Sequence, residues 1–312
     1  MAAVSPRVKK FAGFVGTIAL AAVVSAAAGS ASLDTGASSA NESQPPAPEA
    51  PRRVVSLVPA TTEMLFAMGA SDRLVGVGTF DRFPPETNKL PRVGGLIDPD
   101  TERILALRPD LVIVYNTQAE LKERLDRARV PYFAYQHRAL PDVMDTIRAI
   151  GARLGTAAAA ETVAANMERA LADVRRSVAG RPRPRTMLVF GRERETLRGV
   201  YASGGYGFLA DLLDVSGSDN VFGEIKQESV QASTEMILAR RPDVIVELRY
   251  GDDARAFNVE RELAPWRTLA SVPAVRNGRL HLLVGDEFVV PGPRIVNAAQ
   301  RFARALHPEA FK

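Results

Sequence analysis

The 312-residue sequence contains no cysteine. That absence excludes disulfides, thiolate metal sites, a cysteine nucleophile and an N-terminal cysteine able to carry lipid. Its three histidines, His137, His281 and His307, never fall at ligand spacing, so no metal held directly by the protein is expected. There is no G-x-G-x-x-G, no phosphate loop ending in Gly-Lys-Ser/Thr and no G-x-S-x-G elbow. Carboxylates are plentiful, but no pair stands in an apolar setting, and nothing in the chain points to catalysis. Beyond the first 28 residues no apolar run is long enough to span a bilayer.

What is present begins with a leader. Arg7, Lys9 and Lys10 precede an apolar run from Phe11 to Ala28, closed by the small residues Ala26-Ala27-Ala28. Basic, apolar, small is the order of a secretory signal, so residues 1–28 read as a signal peptide and the body as periplasmic, or as anchored where the signal stays uncleaved. The formal net charge of +4 then shrinks to +1, because residues 1–28 hold three basic residues and no acidic one. A balance so close to neutral makes no case for nucleic acid as a partner. Residues 29–51, rich in Ser, Ala, Gly and Pro, read as a disordered tether.

From Arg52 onward short apolar strands alternate with helical segments. Val54–Val58, Leu74–Val77, Leu111–Tyr115 and Tyr132–Tyr135 are strands, and Thr61 is a plausible cap for the helix that follows the first of them. Alternation of this kind predicts an α/β fold with parallel sheets covered on both faces. One stretch occurs twice. TERILALRPDLVIV (101–114) and TEMILARRPDVIVE (234–247) share eight of their first ten positions at an offset of 133 residues. That spacing is too long for a solenoid unit and suggests two similar lobes. Between the copies, residues 157–179 form an uninterrupted helix with Val163, Met167, Leu171, Val174 and Val178 on one stripe, placed to act as a strut. The division expected is an N-terminal lobe (52–140), a helical segment (141–180) and a C-terminal lobe (181–312).

Aromatic residues collect at the expected C-terminal ends of strands, where open parallel sheets bind ligands. Phe80 and Phe83 flank Asp81 and Arg82 in the loop after the second strand, and Tyr115, Phe190 and Phe288 end or follow other strands. Arg82, Arg192, Arg194, Asp286 and Glu287 lie beside them and would supply polar contacts. The run Gly204-Gly205-Tyr206-Gly207 is either a permissive turn or a loop facing a ligand. Glu102 and Glu235 occupy the same place in the two copies, each after a cap candidate, Asp100 or Ser233. A carboxylate there is stabilised by the helix dipole, which is sufficient reason for its presence.

The strings RVVSLVPATTEMLFAMGASDRLVGV (53–77), GTFDRFPPE (78–86), SGGYGFLADLLDVSGSDNVF (203–222) and PGPRIVNAAQRFARALHP (291–308), with the duplicated stretch, resemble ABC-transporter substrate-binding proteins for ferric siderophores, haem and cobalamin. The resemblance covers residues 52–308. It implies two Rossmann-like lobes joined by one long rigid helix, a small-molecule metal chelate in the cleft, a monomer, and a permease dimer docked by Glu102 and Glu235. It implies no catalytic cofactor; the transported ligand itself would contain Co or Fe. Matching the cobalamin type gives Phe80, Tyr115, Phe190 and Asp286 as ligand contacts, while Leu96 and Ser229 stand where that type has tryptophans. Cobalamin is the ligand favoured. A ferric siderophore would use Arg82, Arg192 and Arg194, and haem would take Tyr115, Tyr201 or Tyr206 as an axial ligand. The alternatives of another class are a secreted Rossmann-like enzyme and a binding protein that signals to a membrane receptor.

Overall fold

The structure is a computed structural model that describes residues 49–251 and 258–311. The expected signal peptide, and the tether as far as residue 48, lie outside the described residues. From Ala50 onward the chain forms one compact unit. The last tether residue is tied to it, since the Arg73 guanidinium donates to the Pro51 carbonyl at 3.1 Å.

The first sheet is wholly parallel. Its strands are β1 (Val54–Ser56), β2 (Leu74–Val77), β3 (Leu111–Tyr115) and β4 (Tyr132–Tyr135), in the order β2-β1-β3-β4. Helices α1 (Pro59–Ala67), α2 (Thr101–Ala106) and α3 (Ala119–Arg127) make the crossovers that parallel pairing demands. Helix α1 starts earlier than the sequence suggests. Pro59 supplies a preset φ in its first turn, and Thr61 sits inside the helix with its hydroxyl 2.9 Å from the Val58 carbonyl.

Two helices lead on: α4 (Leu140–Arg153) and α5 (Ala157–Val178). The 22 residues of α5 make it about 33 Å long at 1.5 Å per residue. Ala160, Ala164, Met167, Leu171, Val174 and Val178 form its buried stripe.

The second sheet comprises β5 (Arg185–Gly191), β6 (Tyr201–Ser203), β7 (Asp219–Asn220), β8 (Ser229–Gln231), β9 (Val244–Arg249) and β10 (Leu280–Val284). Its main path runs β10-β9-β5-β6-β8, with β7 beside the start of β5. It is mixed, not purely parallel as expected: β6 runs antiparallel to β5, and β8 antiparallel to β6. The link from β5 to β6, residues 192–200, is too short to hold a crossover helix, so the chain can only return antiparallel. The described α-helices of this half are α6 (Phe208–Val215), α7 (Thr234–Arg240), α8 (Val259–Leu263), α9 (Pro273–Arg276) and α10 (Ile295–Leu306).

The duplication extends to backbone detail. Helices α2 and α7 are each followed by an arginine in the left-handed region, Arg108 at φ 47° and Arg241 at φ 48°. The aspartate of each Arg-Pro-Asp then fastens the start of the next strand to the first strand of its sheet. Asp110 accepts from the Arg53 amide at 2.8 Å, and Asp243 from the Arg185 amide at 3.1 Å.

Side chains alternate across each strand, so each sheet feeds two cores. Val55, Val112 and Val114 join Ile104, Leu121 and Leu125 on the outer face of the first sheet. Met187, Val189 and Ile245 join Trp266 and Phe222 on the outer face of the second. The inner faces share one continuous core through α1, α4, α5, α6 and α10, in which Val54, Leu65 and Ile147 belong to the same cluster as Leu188, Val246 and Phe302.

Candidate functional site

The seam between the two sheets is built from the C-terminal ends of their strands and the loops after them. Tyr115 ends β3 and Tyr135 ends β4, and parallel register puts the two side by side. Their rings meet edge-on with centroids 5.8 Å apart. His137 lies 6.1 Å from Tyr115 and 5.5 Å from Tyr135, and 5.5 Å on its other side is Phe208, the first residue of α6. A wall of four rings thus crosses from one half of the molecule to the other. Burial drives the His137 pKa down to about 4, against the pull of Asp142, and so holds the imidazole neutral. Burial likewise raises the Tyr115 and Tyr135 phenols above their ordinary value. The Tyr135 hydroxyl and the His137 Nδ1 are buried without a hydrogen-bond partner among the described residues. Next to the wall, the Leu140 amide donates to Asp211 of α6 at 2.7 Å.

The loop after β2 presents Phe80 and Phe83, 47% and 42% exposed. Arg92 pins it by donating to the carbonyls of Gly78 at 2.9 Å and Asp81 at 2.6 Å. The Asp81 side chain turns inward, and burial lifts its pKa to about 7 despite the opposing effects of Thr62 and Arg92. A carboxyl whose folded pKa is raised stabilises the fold fully below its unfolded pKa, and that contribution is lost as pH climbs through the folded value. Asp81→Asn is therefore expected to match the parent at pH 4 and to exceed it by about 1–2 kcal/mol at pH 8, part of the ionisation cost being replaced by that of burying an amide. Urea unfolding at the two pH values checks this; an equal difference at both pH values would contradict it.

The structure overturns three expected ligand contacts, Arg192, Phe288 and Glu287. Arg192 offers no surface to a ligand. Its side chain is fully buried and bridges Glu247 at 3.0 Å and Glu262 at 3.7 Å. Arg249 shares the same two carboxylates, and the Trp266 indole donates to Glu247 at 2.8 Å. Buried charges must be paired, and this cluster is internally neutral. Phe288 belongs to the core, fully buried with its ring 5.3 Å from that of Phe302. Glu287 has its carboxylate committed to Arg301 and Arg294. Of the remaining candidates, Asp286 accepts from the Gly251 amide at 2.7 Å, Arg194 stands 3.6 Å from Glu262, and half-buried Phe190 packs against the inner core. Arg82 reaches toward Gly251, its Nη1 3.9 Å from where a Cβ on that glycine would sit.

Sequence reasoning missed Tyr135, His137 and Phe208 as a group. The register of β3 with β4 was the available signal for Tyr135; nothing local joins either residue to Phe208. It also missed Glu63 of α1, which grips Arg294 at the head of α10 through two hydrogen bonds of 2.6 and 3.0 Å. The Arg294 guanidinium lies 4.1 Å over the Phe83 ring.

Glu102 and Glu235 are exposed in the first turns of α2 and α7. The caps there are filled: Asp100 accepts from the Arg103 amide at 2.9 Å, and Ser233 from the Met236 amide at 3.2 Å. Among the described residues no cluster of His, Asp or Glu could hold a metal ion, and no helix is long and apolar enough to cross a membrane. A cavity of about 250 Å³ between β4 and α4, lined by Gln136, Arg138 and Asp142 among others, and one of about 230 Å³ at the end of α5 are not lined by any of the four rings.

Comparison with known proteins gives a family match over residues 54–286, to the family described as periplasmic binding protein. An uncharacterized ABC transporter substrate-binding lipoprotein of Bacillus subtilis is 26% identical over 267 residues, covering 84% of this chain and 82% of that one. The vitamin B12-binding protein of Salmonella typhimurium is 28% identical over 257 residues, covering 81% and 90%. The periplasmic heme-binding protein RhuT of Roseiflexus sp. superposes with a TM-score of 0.69 at 25% identity, covering 83% of this chain and 99% of the other.

Proposed function

Because the chain belongs to the periplasmic binding protein family, we propose that it captures a corrinoid outside the cytoplasmic membrane and delivers it to an ABC importer. The observation that carries this reading is the ring wall at the strand C-termini, on a chain similar over most of its length to a vitamin B12-binding protein. Stacking on Tyr115 and Phe208, and on Phe80 and Phe190, would supply affinity, and Asp286 with Arg82 would fix orientation. In this reading residues 52–140 and 181–312 act as lobes, residues 141–180 bridge them, and the seam is the ligand cleft. The shared inner core and the stiff α5 favour small movements of one lobe against the other over wide closure. Residues 1–28 direct export. Glu102 and Glu235, one on each lobe, dock on a permease dimer, and the protein carries out no reaction of its own.

Haem is the second reading. It is favoured by the likeness to RhuT and by the phenol of Tyr115, which is half-buried at the wall. Cobalamin uptake by cells from which this chain has been deleted tests the proposal. Uptake should fall to the background of cells lacking the importer, and undiminished uptake would contradict a delivery role.

A further inference from the structure

Charges around the seam are unevenly used. Arg192 and Arg249 share Glu247 and Glu262. Arg294 divides itself between Glu63 and Glu287, and Arg301 takes the other oxygen of Glu287. Four guanidinium groups are thereby neutralised inside the protein. Glu228 is different: its side chain makes no hydrogen bond or ion pair among the described residues.

Its position is defined by Gly207, the residue before α6. That glycine has φ 93°, and a Cβ placed on it would lie 3.1 Å from the Glu228 Cγ and 3.5 Å from the Arg138 carbonyl. Glu228 therefore packs against the start of α6, next to Phe208 and to the segment that carries His137. It also lies close enough to Tyr115 to raise that phenol's pKa. The Glu228 carboxyl itself is pushed above its ordinary value by partial desolvation, with no cation offsetting it. In the same wall, the Tyr135 hydroxyl, on a side chain 1% exposed, has no partner among the described residues.

We propose that Glu228 is a specificity-determining residue of the cleft: it accepts N–H or O–H hydrogen bonds from the fringe of a ligand whose flat face lies on Tyr115 and Phe208, and it repels ligands that bring a carboxylate to the same place. The ligand class is then a metal macrocycle fringed with amides or hydroxyls, as opposed to a polycarboxylate chelate. The inference rests on the reading of the seam as the ligand site. Two physical effects act together. A partly desolvated carboxylate gains from every donor that replaces lost water, and it discriminates through like-charge repulsion against an anionic rival.

The test uses the purified mature chain and two probes, cyanocobalamin, which is neutral overall and fringed with amides, and haemin, which carries two propionates. Absorbance titrations compare the parent with Glu228→Gln and Glu228→Lys. Glu228 is an exposed residue that no described side chain depends on, so both variants should fold, with a small gain in stability for Glu228→Gln from losing a partly desolvated charge. Expected is tighter binding of cyanocobalamin than haemin by the parent. Glu228→Lys should weaken cyanocobalamin about tenfold or more and strengthen haemin, and Glu228→Gln should fall between. If the parent binds cyanocobalamin but the ratio of the two affinities is unchanged in Glu228→Lys, the role of Glu228 is overturned while the cleft stands. If the parent binds neither probe, both the cleft reading and the inference fall.

Discussion

Arg294→Ala is expected to cost the fold about 3–5 kcal/mol, because it strands a buried carboxylate. Glu63 is 3% exposed in α1, on the first sheet's side of the molecule, and its two oxygens are held by the Arg294 guanidinium from the head of α10. The two partners report the pair in opposite senses. Burial leaves Glu63 above its ordinary pKa, whereas the carboxylates around Arg294 outweigh its own burial and raise it. Glu63 decides the energetics, since it is nearly sealed from water and has this one cation among the described residues, while Arg294 also has Glu287 at 3.7 Å. The pair is therefore weak as a source of net stability and costly to break. Replacing both residues with methionine should recover most of the loss. Urea unfolding of Arg294→Ala and of the double variant decides the point, and a loss below about 1 kcal/mol in Arg294→Ala would show that water reaches Glu63 freely. The same substitution removes the cation from the Phe83 ring, so the candidate ligand loop should loosen with it.

Glu102→Arg combined with Glu235→Arg is expected to bring uptake down to the background of cells lacking the chain, with ligand affinity unchanged within about twofold, as rim charges act on docking and leave distant contacts intact. The caps of α2 and α7 are supplied by Asp100 and Ser233, so the two glutamates are not needed to satisfy the helix ends. Glu235 does gain from its helix start, where Ser233 and a backbone amide hold its carboxyl below the ordinary range. Both side chains are exposed, and their reversal should leave the fold intact. Uptake that persists in the double variant would return both residues to a dipole role alone.

The elements most legible in the sequence are those whose signal is periodic or repeated. The stripe on α5 and the two TE..ILA.RPD copies follow from side-chain spacing and identity, and the structure reproduces the copies down to their left-handed arginines. Strands β6 and β8, of three residues each, are too short to show a period, and so the mixed character of the second sheet was hidden. At the site the limit is different. That Phe288 faces Phe302, and that Arg192 meets Glu247 and Glu262, depends on partners distant in the chain, and neither local charge nor aromaticity reveals which way a side chain turns at the end of a strand. His137 and Phe208 become neighbours through the way the start of α6 is set against the segment between β4 and α4, for the same reason.

The most direct test of the account is an equilibrium titration of the purified protein with cyanocobalamin, followed by its visible absorbance, with Tyr115→Ala as the companion. The account predicts one ligand per chain, and affinity about tenfold weaker in the variant through loss of ring stacking and burial. No binding by the parent, or equal affinity in Tyr115→Ala, would contradict a corrinoid held against this wall.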